Sequence, residues 1–167
     1  MMRRQFLFGG ALAAVTAAIG LPFLSRRAES ASGGTYPVTL SDAEWRQRLS
    51  PEAYKVLRQA GTERAFTSPL DREKRAGTFA CAGCDNPVYS SKAKFDSGTG
   101  WPSFYEPISE ASVGTSTDYV LIYPRTEVHC ANCGGHLGHI FDDGPQPTGK
   151  RHCINGVAMS FAPIAAS

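Results

Sequence analysis

The chain has 167 residues, 42% of them hydrophobic and 19% charged, with a net charge of +2 at neutral pH. That length supports one domain with or without a leader, and the near balance of charge gives no electrostatic case for nucleic acid or anionic lipid as a partner. Five cysteines make metal or redox chemistry the first question.

In chain order, Arg3 and Arg4 precede an uncharged stretch from Gln5 to Ser25, followed by Arg26, Arg27 and the small residues of AESAS. Charge, then an apolar run, then small residues is the order of an export signal. The paired arginines before Gln5, Phe6 and Leu7 resemble a bacterial twin-arginine signal, a receptor-read address for proteins exported already folded. The reading is a signal over residues 1–31, cut near position 30, and a periplasmic or otherwise exported product. The alternative is an uncleaved membrane tether, since the run is long enough to span. Removing the segment takes away four arginines and Glu29, leaving 13 basic against 14 acidic residues, a net charge of −1 over 136 residues. That is enough chain for one core.

Residues 32–40 read as a flexible leader before a domain over 41–165. Ser41 then stands three residues before Glu44 in capping-box spacing, with Trp45 and Leu49 one helical turn apart, which predicts a short helix. Ser50 and Pro51 start a second, with Ala53, Val56 and Leu57 as its apolar stripe and Gly61 as its stop. The mixed-sign run DREKR at 71–75 reads as a solvated loop. Beyond it the texture changes to strands between Gly, Pro, Asn and Asp: Thr78–Cys81, Pro87–Ser91, Tyr119–Tyr123, Thr126–Cys130 and His152–Phe161. The loops DSGTGWPSF and DDGPQPTG are long and rich in breakers, as functional loops are. The expected class is mainly β with some helix (α+β), in small antiparallel sheets with short helices at the N-terminal side.

Cys81-Ala82-Gly83-Cys84 and Cys130-Ala131-Asn132-Cys133 form two C-x-x-C knuckles. Each presents two thiolates from one tight turn, and together they complete the tetrahedral shell that zinc prefers. A shell filled by four sulfurs is closed, so the ion is structural. Two disulfides, or a thioredoxin-like redox pair, are the competing readings for an exported protein. Against them, C-x-x-C closes a small strained ring, and neither copy sits at a strand-to-helix junction.

One cysteine remains. Cys153 as an inert buried thiol is the plain alternative, yet in an extended segment Arg151, Cys153 and Asn155 fall on one face. A cation beside a thiol favours the thiolate, and an amide can bond a substrate oxygen. His136 and His139 follow the second knuckle; with the metal shell full they read as proton donors or orienting groups, or else as histidines without chemistry. Trp101, between Gly100 and Pro102, reads either as core or as an apolar wall for a small ligand group.

The segments CAGCDNPVYSSKAKFDSGTGWPSF, CANCGGHLGHIFDDGPQPTGKRHCIN and GVAMSF, in this order, resemble the methionine sulfoxide reductase B family, also called the SelR domain. The resemblance runs from the Trp45 helix to Phe161. It implies a barrel-like (Mss4-like, β-tent) fold with a structural four-cysteine zinc site, and reduction of the R epimer of methionine S-oxide, free or in oxidised proteins, as protein repair under oxidative stress. Cys153 becomes the nucleophile, with His136, His139, Arg151 and Asn155 around the sulfoxide. Trp101 packs against the substrate methyl, and Phe104 and Phe161 join it on the substrate side. His152 stands where the family often has tyrosine. Many members carry a second, resolving cysteine where this chain has Thr99, so the resemblance points to direct regeneration by an external thioredoxin-like dithiol. A monomer is expected, meeting a membrane only if the signal stays uncut. Two rivals predict other behaviour: a non-catalytic zinc-binding β module that recognises a protein, and a disulfide exchanger working through the C-x-x-C pairs.

Overall fold

Ser41 and Glu44 close the capping box that their spacing predicts. The Ser41 hydroxyl accepts the Glu44 N–H at 3.4 Å and the Glu44 carboxylate accepts the Ser41 N–H at 2.7 Å, starting α1 (Asp42–Arg48). Ser50 caps α2 (Pro51–Gln59) through the Ala53 N–H at 3.1 Å, and Ala53, Tyr54, Val56 and Leu57 bury its apolar stripe. The stop differs by one residue: Ala60 takes the left-handed conformation at φ 50°, and Gly61 follows with its N–H on the Lys55 carbonyl at 3.0 Å. This is a computed structural model, and it describes residues 36–119 and 123–164. The expected signal over 1–31 and residues 32–35 of the expected leader lie outside them.

Residues 36–40 are not free. The Val38 N–H donates to the Asn132 carbonyl at 2.9 Å, and Val38 and Leu40 cover part of the core. Burying two aliphatic side chains there outweighs the freedom expected of a leader.

Nine strands form two antiparallel sheets among the described residues. The smaller has the order β2 (Pro87–Ser90), β1 (Gly77–Cys81), β9 (Met159–Pro163). The larger runs β3 (Lys94–Phe95), β4 (Ser103–Phe104), β8 (Arg151–Ile154), β7 (His136–Phe141), β6 (Arg125–Cys130), β5 (Val113–Asp118). The expected single strand over His152–Phe161 is two strands in different sheets. A short 3-10 turn at Gly156–Ala158 separates them, and a Cβ at Gly156 would lie 1.8 Å from the Ser68 hydroxyl, so the chain bends there against a neighbouring loop. The strand expected over Tyr119–Tyr123 is not formed at its described ends: Tyr119 and Tyr123 are exposed, and 120–122 lie outside the described residues.

Aromatic rings join the sheets. Phe79 of β1 meets Phe104 of β4 at 5.0 Å and Phe161 of β9 at 4.8 Å, while Tyr89 stacks on Phe104 at 4.4 Å. On β8, His152 and Ile154 take the core face and Arg151 and Cys153 the other, as strand alternation requires. His152 fills its place with Nδ1 3.1 Å from the Tyr89 hydroxyl, and burial pushes its imidazole down to about 4, so it is neutral at physiological pH.

Candidate active site and metal centre

Register brings the site together. Cys153 of β8 pairs with Ser103 of β4 on one side and His139 of β7 on the other; His139 pairs with Glu127 of β6, and Glu127 with Ser116 of β5. Residues directly opposite in antiparallel strands share a face, so hydroxyl, thiol, imidazole, carboxylate and hydroxyl form one row across five strands. β7 approaches β8 closely because residue 138 is glycine: a Cβ there would lie 2.0 Å from the Cys153 carbonyl.

Above this row is a cavity of about 140 Å³ lined by Cys153, His139, Trp101, Phe141, Arg125, Asn155, Thr62 and Gly138. Sites for drug-sized ligands start at about 300 Å³, so this one suits the end of a side chain. Two larger depressions, of about 770 and 560 Å³, lie elsewhere and have no cysteine in their walls.

Arg151 is held by Asp143 through two bonds, Nε to Oδ1 at 2.8 Å and Nη2 to Oδ2 at 2.9 Å, and lies 4.5 Å over the Phe141 ring. Its guanidinium and the Thr99 hydroxyl both reach the Cys153 thiol and favour its ionisation. Burial opposes them and wins, so the thiol stands above its ordinary value. Cys153 therefore keeps its proton at rest, contrary to the ionised sulfur that the Arg151 neighbour alone suggests. Thr99 bonds in turn to the Ser97 hydroxyl at 2.8 Å, and Ser97 to Ser103 at 2.8 Å.

His139 Nε2 lies 2.8 Å from Asp118 Oδ2, which also accepts Arg125 Nη2 at 2.6 Å. Burial lowers the His139 imidazole more than Asp118 raises it. A neutral ring that donates through Nε2 offers Nδ1 as an acceptor. His136 sits behind it, ring centres 5.3 Å apart, buried and outside the cavity wall, with Nδ1 2.7 Å from Glu127 Oε1. That bond is the main reason the Glu127 carboxyl falls to about 2.

Of the residues read from sequence, Cys153, His139, Asn155 and Trp101 line one cavity and Arg151 contacts the thiol. His136 stands one layer back. Asn155 has less freedom than expected: its Oδ1 accepts the Glu63 N–H at 2.9 Å and its Nδ2 donates to the Leu137 carbonyl at 3.0 Å. Phe104 and Phe161 are corrected. Phe104 follows Ser103, which faces Cys153, so it points the other way into the core; Phe161 faces Phe79 in the smaller sheet. The aromatic wall beside Trp101 is Phe141, which alternation along β7 from His139 would have indicated had that strand been recognised. Arg125 and Glu127, at the same spacing on β6, were open to the same inference.

The four knuckle cysteines converge. Cys81 and Cys133 sulfurs are 3.7 Å apart, Cys84 and Cys130 3.6 Å, and all four lie within 4.8 Å of one another. A disulfide needs about 2.05 Å, and the four sulfurs converge on one point instead of standing as two separate pairs, which counts against a C-x-x-C disulfide exchanger. A tetrahedral ion with metal–sulfur bonds of about 2.3 Å sets sulfur–sulfur edges of about 3.8 Å, so the set can hold a metal ion. Asn86 Nδ2 donates to Cys130 Sγ at 3.5 Å, as a thiolate invites.

Residues 49–163 match the SelR domain family. The chain is similar to the peptide methionine sulfoxide reductase MsrB of Agrobacterium fabrum, 52% identical over 127 residues that cover 76% of this chain and 94% of the relative. It is similar to that of Leptospira interrogans, 48% identical over 126 residues, 75% and 96% of the two chains. The chloroplastic peptide methionine sulfoxide reductase B1 of Arabidopsis thaliana is 54% identical over 124 residues, 74% of this chain but 61% of that longer protein. The matched span runs from the end of α1 through both knuckles and the row around Cys153 to the last residue of β9, and on that match the chain belongs to the SelR domain family.

Proposed function

We propose that the chain is a peptide-methionine (R)-S-oxide reductase with Cys153 as nucleophile, acting on methionine R-sulfoxide in oxidised proteins or free. The observation that carries this is one side-chain-sized cavity in which a thiol outside the four-cysteine cluster, an imidazole and an indole meet, in a member of the SelR domain family.

The chemistry follows from the sulfoxide. Its sulfur is electrophilic, and its oxygen leaves only as it gains a proton. In the step, Cys153-SH and the sulfoxide become Cys153-SOH and the thioether: the substrate S–O bond breaks, its sulfur gains two electrons, the cysteine sulfur loses two, and the oxygen stays on Cys153 as S–OH. The proton lost by the thiol equals the proton gained by oxygen, so a resting thiol is the correct stoichiometric state. His139, neutral and oriented by Asp118, is suited to move that proton, and Arg151 and Thr99 stabilise the thiolate formed meanwhile. Trp101 and Phe141 form the apolar side that takes the methyl group. Fixing methyl, oxygen and nucleophile in space fixes the handedness at sulfur.

The ion is zinc in this reading, held by Cys81, Cys84, Cys130 and Cys133, and its closed shell makes it structural. Residues 1–31 are an export signal of the twin-arginine kind, delivering a folded 41–165 domain to the periplasm.

Purified protein with dithiothreitol should reduce the R epimer of N-blocked methionine sulfoxide at least about 100-fold faster than the S epimer. Equal rates would overturn the R-epimer selectivity, and no rate on either epimer would leave the non-catalytic module.

Regeneration needs a second thiol. With Thr99 against Cys153 and four sulfurs in the metal shell, an external thioredoxin-like dithiol serves: one thiol and Cys153-SOH give a mixed disulfide and water, and its second thiol releases Cys153-SH. Mass spectrometry during turnover should find Cys153 as sulfenic acid or mixed disulfide. A Cys153 disulfide to Cys81, Cys84, Cys130 or Cys133 would refute this route.

A further inference from the structure

Glu63 lies on the segment that leaves α2 and has no role in the chemistry above. All three of its polar parts are committed to the site. Its N–H donates to Asn155 Oδ1 at 2.9 Å and its carbonyl accepts Trp101 Nε1 at 3.2 Å. Its carboxylate accepts the Gly156 N–H on Oε1 and the Val157 N–H on Oε2, the latter at 3.1 Å. These partners lie 38 to 94 residues away in sequence.

The carboxylate is half-buried, and burial pushes its titration above the usual carboxylate range against the pull of the two N–H groups. Among the described residues it makes no ion pair. A buried carboxylate without a cation is unfavourable unless its oxygens are bonded, and here the bonds go to the turn that directly follows the nucleophile strand. Gly156 lets this turn pack on the Ser68 loop, where a Cβ would lie 1.8 Å from the Ser68 hydroxyl, while the same Cβ would only touch Glu63 Oε1 at 3.4 Å.

We propose that Glu63 is a positioning residue that ties the indole of Trp101 to the Asn155–Val157 turn, and so sets the distance between the methyl wall and the Cys153 sulfur. The backbones beside the two residues already meet, since the Ile154 N–H donates to the Pro102 carbonyl at 2.9 Å; what Glu63 adds is the placement of the indole, whose Nε1 it holds, against a strand that ends at Ile154, two residues before the bend at Gly156. A misplacement of about 1 Å between reacting groups can lower a rate about 100-fold. The inference rests on the reductase reading for its effect on rate, but the clamp itself can be tested apart from it.

Glu63→Ala and Glu63→Gln are compared with wild type, each confirmed folded and metal-loaded, by kcat and KM for the R epimer and by the rate of Cys153 alkylation with iodoacetamide, followed by mass spectrometry. The expected result for Ala is a fall of about 10- to 100-fold in kcat/KM together with alkylation several-fold faster, because the wall over the sulfur loosens. Gln, which keeps one acceptor and turns donors toward the second N–H, falls between, and it carries the test if Ala does not fold. A role in stability alone would lower the melting midpoint and leave both rates of the folded protein unchanged. Rates within twofold of wild type in both assays overturn the proposal. If wild type fails to reduce sulfoxide, the reductase reading falls, and alkylation alone decides the clamp: faster supports it, unchanged overturns it.

Discussion

Cys153→Ser is expected to abolish sulfoxide reduction, by about 10⁴-fold or more, while its metal content and melting midpoint stay close to wild type. The first half follows from redox chemistry. The step moves two electrons from the nucleophile to the substrate and leaves oxygen bound to it; a thiol sulfur can do this and an alcohol oxygen cannot. No neighbouring sulfur can substitute, because the remaining four cysteines lie together in a separate cluster that can hold a metal ion.

The second half follows from packing. Cys153 is half-buried, in contact with a hydroxyl and a guanidinium. Serine is close in size and bonds to both, so the change belongs with substitutions costing about 1 kcal/mol or less. Kinetics, metal analysis and a thermal melt on one preparation check it. Residual turnover within about tenfold of wild type would remove Cys153 from the mechanism, and a collapse in melting temperature would make it a packing residue. The non-catalytic module predicts no change that the substitution could cause in activity, since it has none.

How far the sequence reaches can be judged from particular residues. Ser41 with Glu44, and Ser50 with Pro51, announced two helices because capping is local chemistry. Cys153 emerged by subtraction, since knuckle spacing is local too. What escaped was decided by pairing at a distance. HLGHIF has a glycine and two histidines and VGTSTD is mostly polar, so neither reads as a strand, yet both are strands because neighbours supply their hydrogen bonds. Phe104 looks like a site residue beside Trp101 until β4 is paired with β8, which turns Ser103 toward Cys153 and Phe104 away. Phe161 looks continuous with Cys153 until the chain bends at Gly156 and changes sheets. Glu63 carried no signal at all, because its partners are far along the chain.

Cys130→Ser should have the opposite profile to Cys153→Ser: loss of the metal, and a domain that melts at least about 10 °C lower or fails to fold. The four sulfurs come from two places that no disulfide joins. Cys81 ends β1 in the smaller sheet, and Cys130 ends β6 in the larger one just before the turn into β7. An ion shared among them would fasten the two sheets at the end where β6 and β7 begin to supply Glu127, His136 and His139. Structural zinc contributes about 10–16 kcal/mol to folding in small peptides, against a net stability of about 5–15 kcal/mol for a whole domain, so even a third of that is decisive. At roughly 2–8 °C of melting temperature per kcal/mol for domains of this size range, a loss of about 5 kcal/mol gives a shift of at least about 10 °C. Metal analysis and thermal melts of wild type with and without a chelator, beside the variant, measure it. If the stripped wild type melts where the loaded protein does, the sheets are held by core packing such as the Phe79–Phe104–Tyr89 ring cluster, and the sulfur cluster is not the staple its geometry suggests.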